Sequence, residues 1–308
     1  MDIRVRKVAA YLFALALTIS GNAQVAARPA IAFMSARDGA DNWEIYVMDE
    51  DGENQRNVSN EPGDDFIPDW SPDGRSIVFV ALRGDASQEI YVMDADGGNQ
   101  RNISNERSTS LDPAWSPDGR SIAFASSRDA NQEIYIVDPD GANPRNLTNH
   151  PGGDAGPSWS PDGESIAMDA DGGNQRNITN SAQLDADPAW SPDGKTIAFL
   201  SQRDGNSQIY VMDTDGGNQR NISDHPDGAR SPTWSPDGAR LAFVTSRDGN
   251  SEIYVMDADG GNQRNISDNP AYDSMPAWFG PGLARGICVK DKVSVAWGAL
   301  KWFAEDRR

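Results

Sequence analysis

The chain lacks most of the residues that carry enzymatic chemistry: its 308 residues include one cysteine and two histidines. The lone Cys288 excludes an intramolecular disulfide, so the fold must stand on packing alone. With only His150 and His225 available, a histidine-based metal centre has too few ligands. A nucleophilic Ser, Cys or Thr needs a positioned base, and no Gly-x-Ser-x-Gly occurs. Positive charge is scarce as well. Lys and Arg number 27 against 47 Asp and Glu, a net charge of −20. That balance argues against nucleic acid, which wants a basic patch, and against an anionic membrane surface. Helical periodicity is absent from residue 28 up to the C-terminal tail, and no apolar run is long enough to span a bilayer as a helix.

What is present begins with a leader. Arg4, Arg6 and Lys7 precede an apolar run of 12 residues, Val8 to Ile19, and the small residues Gly21-Asn22-Ala23 follow. Residues 1–23 thus read as a secretory signal peptide. Its removal takes away a net charge of +2 and leaves a mature chain near −22. The expected location is periplasmic or secreted, with no membrane insertion after cleavage.

The rest of the chain is organised by a tryptophan that recurs at 70, 115, 159, 190, 234 and 278, at spacings of 45, 44, 31, 44 and 44 residues. A proline precedes each by two places. Each unit reads as four short strands. Pro-x-Trp ends at Ser-Pro-Asp-Gly, where Pro and Gly suit a tight turn. Ile-Ala-Phe ends at Arg-Asp-Gly-Asn, Glu-Ile-Tyr-Val-Met-Asp ends at Asp-x-Asp-Gly-Gly-Asn, and Arg-Asn-Ile-Ser closes the unit. The third strand is apolar at consecutive positions, as at Ile45-Tyr46-Val47-Met48, so both of its faces are buried. A period in the low forties with four strands per repeat is the signature of a propeller blade.

These motifs resemble the WD-like repeat of the TolB β-propeller family, over roughly residues 30–280. The resemblance implies six blades and a role in periplasmic protein–protein interaction in envelope maintenance. It also implies an α/β domain ahead of the propeller, whereas here the first repeat directly follows the leader. The expected fold is all-β: a propeller of six blade positions over 24–279, with 280–308 as a tail in which 293–308 could form a short amphipathic helix. The unit at 30–60 lacks its Trp strand, and Met275 to Trp278 is a Trp strand without a unit. Pairing the two closes the ring in one blade. The fourth position is damaged. It lacks 13 residues equivalent to Phe199–Val211, a loss of five core side chains worth roughly 8–15 kcal/mol. A three-stranded or distorted blade is expected there, with collapse to five blades as the alternative.

Carboxylates are the one abundant reactive class. Asp65, Asp154, Asp185 and Asp273 each stand five residues before a Trp, with Asp69, Asp112 and Asp187 in the same segments. If the Trp strands line the channel, these acids ring one mouth as a negative funnel for a basic peptide or a cation. The competing reading is that each acid closes its own turn. No pair stands out as glycosidase acid and base. The turns at Asp94, Asp213 and Asp257 resemble fragments of calcium loops, but the full loop is missing, and hairpin turns fit them better. No cofactor is required, while calcium in an acidic channel stays open. Both histidines fall in connections where other repeats carry Glu61, Glu106, Ser181 and Asn269, so exposed loop positions are expected. Asn-x-Ser/Thr recurs at Asn57, Asn102, Asn146, Asn177, Asn221 and Asn265, a fixed strand position that reads as blade pattern rather than glycosylation. The function expected is non-enzymatic: an exported scaffold binding a protein or peptide. A small-ligand, glycan or calcium-binding module is the alternative.

Overall fold

The computed structural model describes residues 28–39, 42–83, 87–105, 107–149, 151–170 and 176–280, together with the backbone of 294–296. The leader over 1–23, His150 and Cys288 lie outside these residues. Every regular element among them is a strand. One repeat gives one sheet: Asp185–Trp190, Thr196–Ser201, Gln208–Asp213 and Arg220–Asn221 pair antiparallel in that order. Three further repeats, over 64–102, 110–146 and 230–265, repeat it. A fifth four-stranded sheet combines the two ends of the chain, with Asp273–Phe279 paired to Ala30–Ser35 ahead of Glu44–Asp49 and Arg56–Asn57.

The complete blades therefore number five, where six blade positions were expected. The fourth repeat supplies only Asp154–Trp159 and Ser165–Ala170, an antiparallel pair. The third strand of that sheet is Ser294–Ala296 from the tail, and it runs parallel to Ser165–Ala170. The helix considered for 293–308 falls mostly outside the described residues, and the three tail residues that are described are extended.

The blades bury their faces against one another. Phe33, Phe79, Phe124, Phe199 and Phe243, one from the second strand of each complete blade, are fully buried. Each hydrophobic cluster draws on at least two sheets. One joins Ile134 and Ile136 of one blade to Ile166 and Met168 of the shortened sheet and to Phe199, Tyr210 and Met212 of the next. The turns between third and fourth strands seat each blade on its neighbour. Gly97, Gly216 and Gly260 adopt φ of 93–98°. A Cβ on them would stand 1.9–2.2 Å from the carbonyl oxygens of Val58, Ile178 and Ile222 in the preceding sheet. Only glycine satisfies both demands. Within these turns Asp94, Asp213 and Asp257 accept hydrogen bonds from Asn99, Asn218 and Asn262 at 2.6–2.7 Å, as hairpin turns do.

A half-buried arginine ties each complete blade together. The Arg83 guanidinium lies 4.8 Å from the Tyr91 ring centre and 5.5 Å from that of Phe79, within cation–π range. It donates to both Asp65 oxygens at 2.9 and 3.1 Å and to Gln100 at 2.6 Å. Arg37 with Asp273 and Arg203 with Asp185 repeat the pair at 2.6 and 3.3 Å. In the blade over 230–265 the acid's place is taken by the buried Ala229. Arg247 there keeps its stacking on Phe243 and Tyr254. Its Nη2 is buried without a hydrogen bond among the described residues, and burial lowers its pKa.

Two opposite outcomes are expected in denaturant melts. Asp65→Ala takes the carboxylate partner from a half-buried guanidinium and lowers stability by about 1–3 kcal/mol. Ala229→Asp gives Arg247 the partner that Arg37, Arg83 and Arg203 have and raises stability by about 1–3 kcal/mol, the worth of hydrogen bonds to a charged group.

Candidate functional site: the central channel

The first strand of every sheet faces the axis, and each carries the same irregularity. Phe66 pairs with Val80 and Asp69 with Val78, so Ile67 and Pro68 together oppose one residue, Phe79. The other first strands shift register at the same place. Proline has no N–H to give a ladder and belongs at a bulge or an edge, and a bulge re-aims the side chain beside it. The residue before each proline takes a left-handed conformation: Ile67, Asp112, Gly156, Asp187, Ser231 and Met275 have φ of 49–57°. For the non-glycine residues this costs about 1–3 kcal/mol each, which the surrounding sheets must overcome.

The bulges divide the channel into two cavities. The six prolines, Pro68, Pro113, Pro157, Pro188, Pro232 and Pro276, line both and form the waist. On one side, a cavity of about 380 Å³ is walled by the repeated tryptophans and the Ser-Pro turns. On the other, a cavity of about 680 Å³ is lined by the left-handed residues, with Phe66, Leu111, Met34, Gln88 and Gln132.

The six acids expected to ring a mouth fall into two sets. Asp65, Asp154, Asp185 and Asp273 are buried at 0–2% exposure and line neither cavity. The expectation for these four is corrected: they point into the blade, and three of them meet an arginine there. Neither a funnel nor self-closed turns describes them. Asp112 and Asp187 do line the larger cavity, on either side of Gly156. The Asp112 carboxylate accepts the Gly156 N–H at 3.3 Å. Asp187 accepts the N–H and the hydroxyl of Ser231, both at 3.2 Å. Asp69 lies beyond the waist, in the smaller cavity, and accepts the Trp115 N–H at 2.7 Å.

Burial raises all three. It pushes Asp69 up to about 7 against the pull of the Trp115 and Trp70 amides. It pushes Asp112 up to about 6, helped by the Asp187 charge and opposed by the Gly156 amide. Asp187 is raised as well, with the Ser231 bonds opposing. The channel therefore gains negative charge as pH rises towards neutrality. Among the described residues no three His, Cys, Asp or Glu side chains converge as a metal site. His225 is half-buried, with Nδ1 3.5 Å from Asp227, rather than an exposed loop residue.

Reasoning from sequence missed Ile67, Gly156, Ser231 and Met275 as channel residues. The signal was there: each immediately precedes the repeated proline. The arginine of Arg-Asp-Gly-Asn was likewise read as turn.

Radial four-stranded sheets around a waisted channel define a β-propeller. The model of the TolB beta propeller domain family matches residues 21–168 and 167–284, and the chain belongs to that family. Among solved structures, TolB from Acinetobacter baumannii is similar at a TM-score of 0.69 and 24% identity, over 81% of this chain and 66% of that one. The chain thus spans just under two thirds of that protein's length. A putative TolB from Agrobacterium tumefaciens is similar at 0.61 and 23%, over 82% of this chain and 98% of that one. The tricorn protease is similar at 0.54 and 20%, over 72% of this chain and 24% of that one. At these identities each likeness is one of fold. No protein of curated function matches.

Wherever a carboxyl is more basic in the native state than unfolded, the native state binds the extra proton. Stability then falls as pH climbs from the ordinary carboxylate range through the raised value. Asp69→Asn keeps an acceptor for the Trp115 amide and removes the titration. Its stability relative to the parent is expected to rise between pH 4 and pH 8, by about 3–4 kcal/mol, in melts at both ends of that range. An unchanged difference would mean that Asp69 is not held near 7.

Proposed function

We propose that this chain is an exported, non-enzymatic scaffold of the cell envelope that takes an extended segment of a protein partner into the larger channel cavity. Its ring keeps six positions, the shortened repeat occupying the fourth, and the two chain ends close it. The observation that carries the reading is the pairing of two carboxylates, Asp112 and Asp187, with an apolar wall of Phe66, Ile67, Leu111 and Met275 in one cavity. That combination suits a segment with a lysine or arginine among apolar residues, since charge in a low-dielectric cleft steers and orients a cation. The names of the similar TolB structures fit a scaffold, and the leader supports export. Among the described residues no helix is long and apolar enough to cross a membrane.

A second reading has an observation of its own. Trp115, Trp159 and Trp190 are only partly buried and line the smaller cavity, which offers stacking surface to a small ligand or glycan.

A displayed library of 12-residue peptides, panned on the full chain, distinguishes the two. Lys- or Arg-containing peptides with apolar flanks are expected to enrich, and to bind about tenfold more weakly to an Asp112→Asn, Asp187→Asn variant, a loss of about 1.4 kcal/mol. Binding should also weaken in high salt. Enrichment of uncharged peptides that bind the variant equally well would overturn the assignment to this cavity.

A further inference from the structure

The shortened repeat ought to leave a breach. Its sheet has lost the third strand, and the neighbouring blades direct apolar side chains at that place: Ile134 and Ile136 on one side, Tyr210 and Met212 on the other. Exposed, these four would cost about 1.5–3 kcal/mol each. Yet they are as dry as anywhere in the ring. Tyr210 and Met212 are 7% and 1% exposed, against 6% and 1% for Tyr254 and Met256 in the next blade. Ile166, Met168 and Ile178 of the shortened repeat share that cluster, and the open edge of its second strand has a backbone partner as well.

The backbone at that edge belongs to the tail. Ser294, Val295 and Ala296 pair with Ser165, Ile166 and Ala167. In the next blade the matching residues Thr196, Ile197 and Ala198 pair with Asp213, Met212 and Val211. Val295 thus takes the ladder position of a buried third-strand methionine. The direction differs: the repeat's own third strands are antiparallel to the second, and this one is parallel. A parallel strand needs a long connection rather than a hairpin. The chain supplies one, since the 14 steps from Gly280 to Ser294 reach at most about 46–50 Å.

We propose that the second strand of the shortened repeat, Ser165–Ala170, is a strand-acceptor edge, and that its occupant is the chain's own segment Ser294–Ala296. The tail repairs the deletion in cis. It gives the open edge backbone partners and covers a sheet edge that would otherwise be a template for another chain.

Two measurements on the full chain test this. Ser165 turns its N–H and C=O towards Ser160, so Ile166 faces the tail and its carbonyl accepts from Ala296. Ala296→Pro removes that ladder donor. Hydrogen exchange at Ile166 and Met168, whose amides face the tail, is expected to accelerate at least about tenfold, while the matching amides of Ile197 and Phe199 stay protected. In a Cys288→Ser background, Ser165→Cys with Ser294→Cys should close an intramolecular disulfide under mild oxidation, and Thr196→Cys with Ser294→Cys should not. If Ala296→Pro unfolds the whole ring, protection at Ile197 and Phe199 falls too and the disulfide pair decides. Unchanged exchange in a folded Ala296→Pro, free thiols in the 165/294 pair, or a disulfide joining two copies would each overturn the assignment.

Discussion

No blade of this molecule can bury its own faces. A four-stranded sheet apolar on both sides needs a sheet against each, and only a closed ring supplies that without end. Every cluster of buried side chains crosses from one sheet to the next, and so do the glycine turns that rest on the carbonyls of Val58, Ile178 and Ile222. The sharing of one sheet between Ala30–Ser35 and Asp273–Phe279 follows from the same need.

Polar chemistry has been drawn into this packing rather than kept for the surface. The arginine after each second strand lies on a Phe and a Tyr, and in three blades it meets a carboxylate that no solvent reaches. Such a pair adds direction to a core that apolar contacts alone would leave tolerant of sliding. Arg247, without its acid, shows how the same arginine sits when aromatic stacking is its main support.

Much of the fold was legible because the repeat states each strand and turn several times over. Trp spacing gave the period, Ser-Pro-Asp-Gly and Asp-x-Asp-Gly gave the turns, and the unbroken Ile-Tyr-Val-Met run gave burial on both faces. The site was less legible, for a definite reason. The acids were grouped at one mouth because they share the Trp-strand segments, and a segment alone does not say which face each side chain takes. The bulge at Ile67-Pro68 and its counterparts breaks the alternation of a regular strand and sends Asp65 inward and Asp112 toward the axis. The proline that forces the bulge was visible; the left-handed residue ahead of it runs against the usual preference of residues before proline. The donated tail strand was hidden because it matches no repeat, and its partner lies three sheets away around the ring.

The six left-handed residues have one more consequence. Their side chains meet the channel but stand apart from the hydrophobic clusters that hold the sheets together, Ile67 excepted. Isoleucine, aspartate, glycine, aspartate, serine and methionine form a short address written around one circumference. Each letter sits in a single blade, and the two aspartates also bond to the next sheet at Gly156 and Ser231. In a propeller of this kind partner choice can shift most freely at the letters that carry no such bond.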